Sequence, residues 1–233
     1  MKILFVTNQI PFPPDNGVRI VSHHAMRLMH EAGHKLALAV LTEENDDCDL
    51  RMKNIADFCE TGMAWWMPLP KQNRFVVQLR AMLTHHLFFI ERYRNVQFRN
   101  RLSALIDEFK PDVVHFDLIP MTQYYDLIPS DIGLVASIND SYGLTLENEL
   151  SAGYYSNLKK IYRKFQLKKV RNYESKIYQK FDSVHVMTEV DANYLQNLNP
   201  KLNTIAIPNG VDPSLMDITE DTYSCSTVVF VAN

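Results

Sequence analysis

Short apolar runs alternate along the chain with longer stretches in which apolar residues recur every three or four positions. KILFVT (2–7) is too short for a helix and has the length of a buried parallel strand. Pro11, Pro13 and Pro14 end it. Val18, Val21, Ala25, Leu28, Met29 and Ala32 then share one helix face, and Gly33 stands where a helix C-cap favours a residue free of Cβ strain. His34–Leu41 reads as a second buried strand. This β-loop-α-β unit puts Asn16 and Gly17 at a helix N-terminus, where free N–H groups and the helix dipole favour a phosphate. The alternative for Gly17 is a glycine that merely serves the turn.

The same pattern continues. A short helix is predicted over Leu50–Phe58, a strand over Met63–Met67 closed by Pro68 and Pro70, and helices over Arg74–Phe89 and Val96–Phe109. VVHF follows Pro111-Asp112 as a buried strand. Leu134–Ile138 is another, ending at Asn139-Asp140-Ser141. Leu158–Phe181 predicts a long helix with Ile161, Phe165, Val170, Tyr173, Ile177 and Phe181 roughly on one face. A strand over Ser183–Met187, a helix over Glu189–Leu198 and a strand over Asn203–Ile207 complete the series. Alternation of this kind predicts an α/β fold, a Rossmann-like parallel sheet with helices on both faces.

The end of the chain breaks the rhythm. Pro208-Asn209-Gly210-Val211-Asp212 is a turn, a polar stretch runs through Ser226, and TVVFV (227–231) reads as a fresh buried strand. One strand forms no core by itself. The expected organisation is a domain over 1–208, a hinge over 209–226 that includes Asn209 and Gly210, and at 227–233 the first strand of a second, missing domain.

Composition narrows the partners more than the fold. A hydrophobic content of 46% and a charged content of 22% are those of an ordinary globular chain. A net charge of −3 gives no bulk attraction to nucleic acid. Cys48, Cys59 and Cys225 are scattered without a C-x-x-C, so neither a disulfide framework nor a zinc site is indicated. His23-His24 and His85-His86 are neighbours on different helix faces, so no metal is expected there. The first loop has one glycine, which removes the G-x-G-x-x-G support for NAD, and no cofactor is expected. The first apolar run is too short for a signal peptide and no stretch reaches the ~18 apolar residues of a membrane span, so a reducing, cytoplasmic location is expected. Residues 151–180 hold nine Lys or Arg against one acid, Glu174, with tyrosines interleaved. Such a helix is either a solvated face or a peripheral contact with anionic lipid on the inner membrane face.

Four segments in order carry a resemblance: KILFVTNQIPFPPDNG with its helix, PDVVH, FDSVHVMTEVDANYL and IPNGVD. Together they resemble the N-terminal domain of a family-4 glycosyltransferase of GT-B architecture. The resemblance implies the acceptor-binding half of a retaining enzyme that moves a sugar from a nucleotide-diphosphate sugar to a glycan or glycolipid, without a metal. It implies a donor-diphosphate loop at Asn16 and Gly17, where glycine lets the diphosphate approach the backbone. The C-terminal half of such enzymes supplies an Arg/Lys pair and an E-x7-E motif that this chain does not contain, so the isolated 233 residues are expected to be inactive. Where many members have H-x-H, this chain has His115-Phe116-Asp117.

His115 and Asp117 are the catalytic candidates, because ligands of open parallel sheets bind at the C-terminal strand ends. Asp140 and Ser141, at the end of the next predicted strand, are the acceptor-binding candidates. The alternatives are a buried histidine bonded to a carbonyl and aspartates that cap helices. Beside the enzyme reading stands a standalone, non-catalytic module, or truncated gene product, that binds a sugar or a membrane face.

Overall fold

A computed structural model describes residues 1–44, 46–84, 86–153 and 155–210. Seven strands form one parallel sheet: β1 (Lys2–Thr7), β2 (Lys35–Thr42), β3 (Cys59–Pro68), β4 (Val113–Asp117), β5 (Gly133–Asn139), β6 (Ser183–Val186) and β7 (Thr204–Ala206). Their order is β3-β2-β1-β4-β5-β6-β7. The chain therefore builds outward from β1 in one direction, returns, and builds outward from β4 in the other. The helices are α1 (Gly17–Glu31), α2 (Cys48–Ala56), α3 (Arg74–Leu83), α4 (Phe88–Arg92), α5 (Val96–Phe109), α6 (Tyr142–Ser151), α7 (Asn157–Ile177) and α8 (Glu189–Leu198).

Alternation within the strands sorts two cores onto the two faces. Leu4, Val6, Val114, Phe116, Ala136 and Val184 point to the face covered by α5 and α8. Ile3, Phe5, Leu38 and Val40 point to the face covered by α1 and α2, with Met26 and Met52 packed between. The expected Rossmann-like sheet with helices on both faces is therefore present. Gly33 takes φ +81 just past α1, the left-handed conformation its position at a helix end requires. Among the described residues no helix is long and apolar enough to cross a membrane.

Several elements differ from the sequence expectation. The helix predicted over Arg74–Phe89 is two, α3 and α4. Thr84 ends α3, its hydroxyl bonding back to the Arg80 carbonyl at 2.8 Å. Leu87 is then extended and buries its side chain with Ile90, Leu146 and Val170. The predicted long helix ends at Ile177, followed by a 3-10 turn at Tyr178–Lys180. Its apolar residues do not all face inward: Val170 is buried, whereas Ile161 is 67% and Phe165 46% exposed. Helix α6 and a 3-10 segment at Ile119–Leu127 were not predicted. The strand expected at 227–231 and the hinge beyond Gly210 lie outside the described residues.

Candidate functional site

The candidate site lies where the strand order reverses, in the crevice between the C-terminal ends of β1 and β4. Thr7 closes β1 and Asp117 closes β4. The Thr7 hydroxyl donates to Asp117 Oδ2 at 3.1 Å, and Ser22 of α1 donates to the same oxygen at 2.6 Å. Asp117 is only 3% exposed. Burial pushes its carboxyl up to about 6, against the two hydroxyl bonds, which favour the carboxylate.

Val113–Asp117 alternates strictly. Val114 and Phe116 enter the core beneath α5, so His115 and Asp117 face the α1 side. The His115 ring stacks on Phe5, centres 4.7 Å apart and planes 25° apart. Burial, with His185 of β6 nearby, lowers its pKa to about 3, so the imidazole is neutral at physiological pH. A cavity of about 250 Å³ opens over this surface. His115, Asp117 and Ser137 line it from the sheet, Val21 and Ser22 from α1, and Asn209 from the turn after β7. A larger cavity of about 590 Å³ lies elsewhere, between α5, the 3-10 segment and α7, and holds none of the expected residues.

His115, Asp117 and Asn209 are thus brought together. Asn16 and Gly17 stand apart from the cavity, at the tip of the helix that walls it. Asn16 caps α1, its Oδ1 accepting the Arg19 N–H at 3.1 Å. The loop behind it is fastened. Arg51 donates to the Phe12 carbonyl at 2.6 Å, and Arg19 reaches both Asp15 and Glu44. Gly17 has no positive φ, and a Cβ there would meet nothing within 4 Å. Neither backbone strain nor packing among the described residues accounts for a glycine at this position. Gly210 likewise has open space around it and does not line the cavity.

Asp140 and Ser141 are not brought to the cavity. Asp140 is exposed in the turn after β5, its carboxyl pushed up by partial burial and by Asp191. Ser141 is fully buried. Its hydroxyl donates to Glu174 Oε1 at 3.0 Å and accepts the Leu144 N–H at 3.2 Å, while its own N–H goes to Asp191 at 2.9 Å. The reason is α6, the helix absent from the sequence reading: it begins here, and Ser141 is its N-cap.

Sequence reasoning missed Thr7, Ser22, Ser137 and His185. One signal was readable: Ser22 is a polar residue inside the apolar stripe of α1, at the spacing of Val18, Ala25 and Met29. The others depend on register. Ser137 pairs with both Asp117 and His185 across the sheet, which no local pattern reveals.

The sequence model of Glycosyltransferase Family 4 matches residues 15–215. No curated protein matches the chain by sequence. Sucrose-phosphate synthase from Thermosynechococcus elongatus has a similar fold, with a TM-score of 0.61 at 12% identity, covering 92% of this chain and 50% of that one. A UDP-glucosyltransferase from Polygonum tinctorium capable of glucosylating indoxyl gives a TM-score of 0.52 at 13% identity, over 96% of this chain and 55% of that one. The N-terminal domain of Candida albicans trehalose-6-phosphate phosphatase gives 0.53 at 10% identity, over 92% and 50%. At such identities the likeness shows the fold alone, and the chain spans about half the length of each of these structures.

Proposed function

The chain belongs to Glycosyltransferase Family 4, and we propose that it supplies the N-terminal, acceptor-side half of a retaining enzyme that moves a sugar from a nucleotide-diphosphate sugar to a glycan or glycolipid. The observation that carries this reading is the cavity at the β1/β4 crevice. There a neutral imidazole and a carboxyl of raised pKa face one space beside the Asn209 turn.

The proposed division of labour follows from the chemistry of each group. The first N–H groups of α1 have no intrahelical partner, and that of Arg19 is taken by Asn16. The N–H groups of Gly17 and Val18 are left to meet the donor diphosphate, with no side chain on Gly17 in the way. A neutral His115 offers one N–H and one lone pair to sugar hydroxyls. The acceptor oxygen bonds to the anomeric carbon on the face from which the diphosphate departs, as that bond breaks, so the configuration is retained. The electron pair leaves with the diphosphate, and the acceptor proton passes to the Asp117 carboxylate. The family's donor half would close over the cavity through the turn at Asn209 and Gly210. A UDP-sugar is the first donor to try, given the glucosyltransferase neighbour.

The reading is tested with a panel of nucleotide sugars and glycan or glycolipid acceptors. The 233-residue chain is compared with the longest reading frame that contains it. Transfer is expected only where a second lobe is present, and it should fall on His115→Ala. Turnover by the 233 residues alone, lost in the same variant, would show that one lobe suffices. A longer product that binds no nucleotide sugar sinks the reading.

A further inference from the structure

The outward faces of α3 and α7 have no role in the transfer chemistry, and they are apolar where a solvated helix is polar. Phe75 is 73% exposed and Leu83 74% on α3, and Leu158 83% on α7. Leu79, Ile161 and Phe165 extend the two stripes and are also exposed. On α3 the stripe lies opposite the buried Val77 and Ala81, and on α7 opposite the direction taken by the buried Val170 and Glu174. The two helices are joined side by side: Gln78 donates to the Tyr162 hydroxyl at 2.7 Å, and Lys169 to the Ala81 carbonyl at 2.8 Å. Single exposed apolar residues are ordinary, but two adjoining stripes mark an interaction surface.

The charge around the stripes selects the partner. Residues 61–90 and 150–173 contain no Asp or Glu, although the whole chain carries a net charge of −3. Arg74 and Arg80 flank the stripe on α3, and Lys159, Lys160, Lys164 and Lys168 flank it on α7. Lys169, which the sequence would place in the same row, is turned inward onto the Ala81 and His86 carbonyls. A second copy of the chain would set this basic rim against an identical one, which like-charge repulsion opposes. A bilayer with anionic headgroups fits both features. The apolar side chains enter the interfacial layer, and the Lys and Arg stems carry their charges to the phosphates.

We propose that the paired outward faces of α3 and α7 dock onto an anionic lipid bilayer. This inference does not rest on the glycosyl-transfer reading, and either can fail without the other.

The test is co-sedimentation of the full chain with vesicles of phosphatidylcholine alone and of phosphatidylcholine with phosphatidylglycerol. Binding to the anionic vesicles only is expected, weakening as salt rises. Two variant sets separate the contributions: Phe75→Ser with Leu79→Ser and Leu83→Ser, and Lys159, Lys160, Lys164 and Lys168 each →Gln. Each set should weaken binding by about tenfold or more with an unchanged circular dichroism spectrum. The glutamine set touches only exposed side chains, so it remains informative if the serine set unfolds. Equal, negligible binding to both vesicle types at low salt overturns the proposal. So does binding that neither set reduces, or a concentration-dependent dimer that the serine set abolishes while no vesicle is bound.

Discussion

The imidazoles of His115 and His185 meet edge to face across β5, with 6.2 Å between ring centres and 70° between planes. Burial lowers the pKa of both, and the neighbouring His185 lowers that of His115 further. His115 should therefore keep its neutral-ring chemical shifts in an NMR titration down to about pH 5, since its pKa is about 3. A midpoint between pH 6 and 7 would show the ring open to water (~6.5 for a free histidine).

Asp117 sets the acid limit of the proposed reaction. Its carboxyl titrates at about 6, so kcat/KM of a chain holding both lobes should rise with pH through that value and level off above it. Asp117→Asn should lower kcat by roughly 10²-fold or more and remove that limb. The fold should survive, because an amide oxygen still accepts from Thr7 and Ser22. Steady-state rates across pH for the two proteins check this. A variant with full activity and an intact limb rules out Asp117 as the proton acceptor.

Glu174 is a buried carboxyl with an unpartnered Oε2, facing Ser141 and Gly143, and burial pushes it up to about 7. The folded chain therefore holds this proton more tightly than the unfolded chain, whose carboxyl titrates near 4.5. Its contribution to stability is fully present below 4.5 and is lost as pH rises through 7. Glu174→Gln removes the buried charge. The variant should melt several degrees above the parent at about pH 8, a difference on the order of 3 kcal/mol. The two melting curves should converge near pH 4.5. Thermal denaturation at the two pH values decides; a variant less stable at both would mean that the carboxylate is needed.

Two glycines should respond in opposite ways to one methyl group. At Gly143 an added Cβ would sit 2.4 Å from Glu174 Oε2 and 2.9 Å from the Tyr194 hydroxyl. Gly143→Ala is expected to cost about 1–3 kcal/mol, read as a drop in melting temperature.

At Gly17 a Cβ meets nothing in the chain. Gly17→Ala should leave the melting temperature within a degree or two, yet weaken binding of UDP or another nucleoside diphosphate by about tenfold. Isothermal titration with a nucleotide panel reads the second effect. Unchanged affinity for a nucleotide that the parent binds would make Gly17 a simple turn residue.

The sheet and most of its helices were legible in the sequence because their signals are local. Apolar runs in 2–7, 34–41 and 113–116 state buried parallel strands, and the stripe from Val18 to Ala32 states α1. Gly33 punctuates that helix by backbone geometry, which needs no distant partner, whereas the capping role of Asn16 emerged only from the structure. His115 and Asp117 were legible for the same reason, since a strand's end is a local fact. The break between α3 and α4 was not, because Leu87 leaves the helix to join Leu146 and Val170, far away in sequence. Ser141 read as a ligand contact and is an N-cap, since its partners Glu174 and Asp191 arrive from two later helices. Tertiary structure alone decided that Thr7, Ser22, Ser137 and His185 share one crevice with His115 and Asp117. Residue types are written along the chain, but which of them share a face depends on strand order and register, and those are settled only when the whole sheet packs.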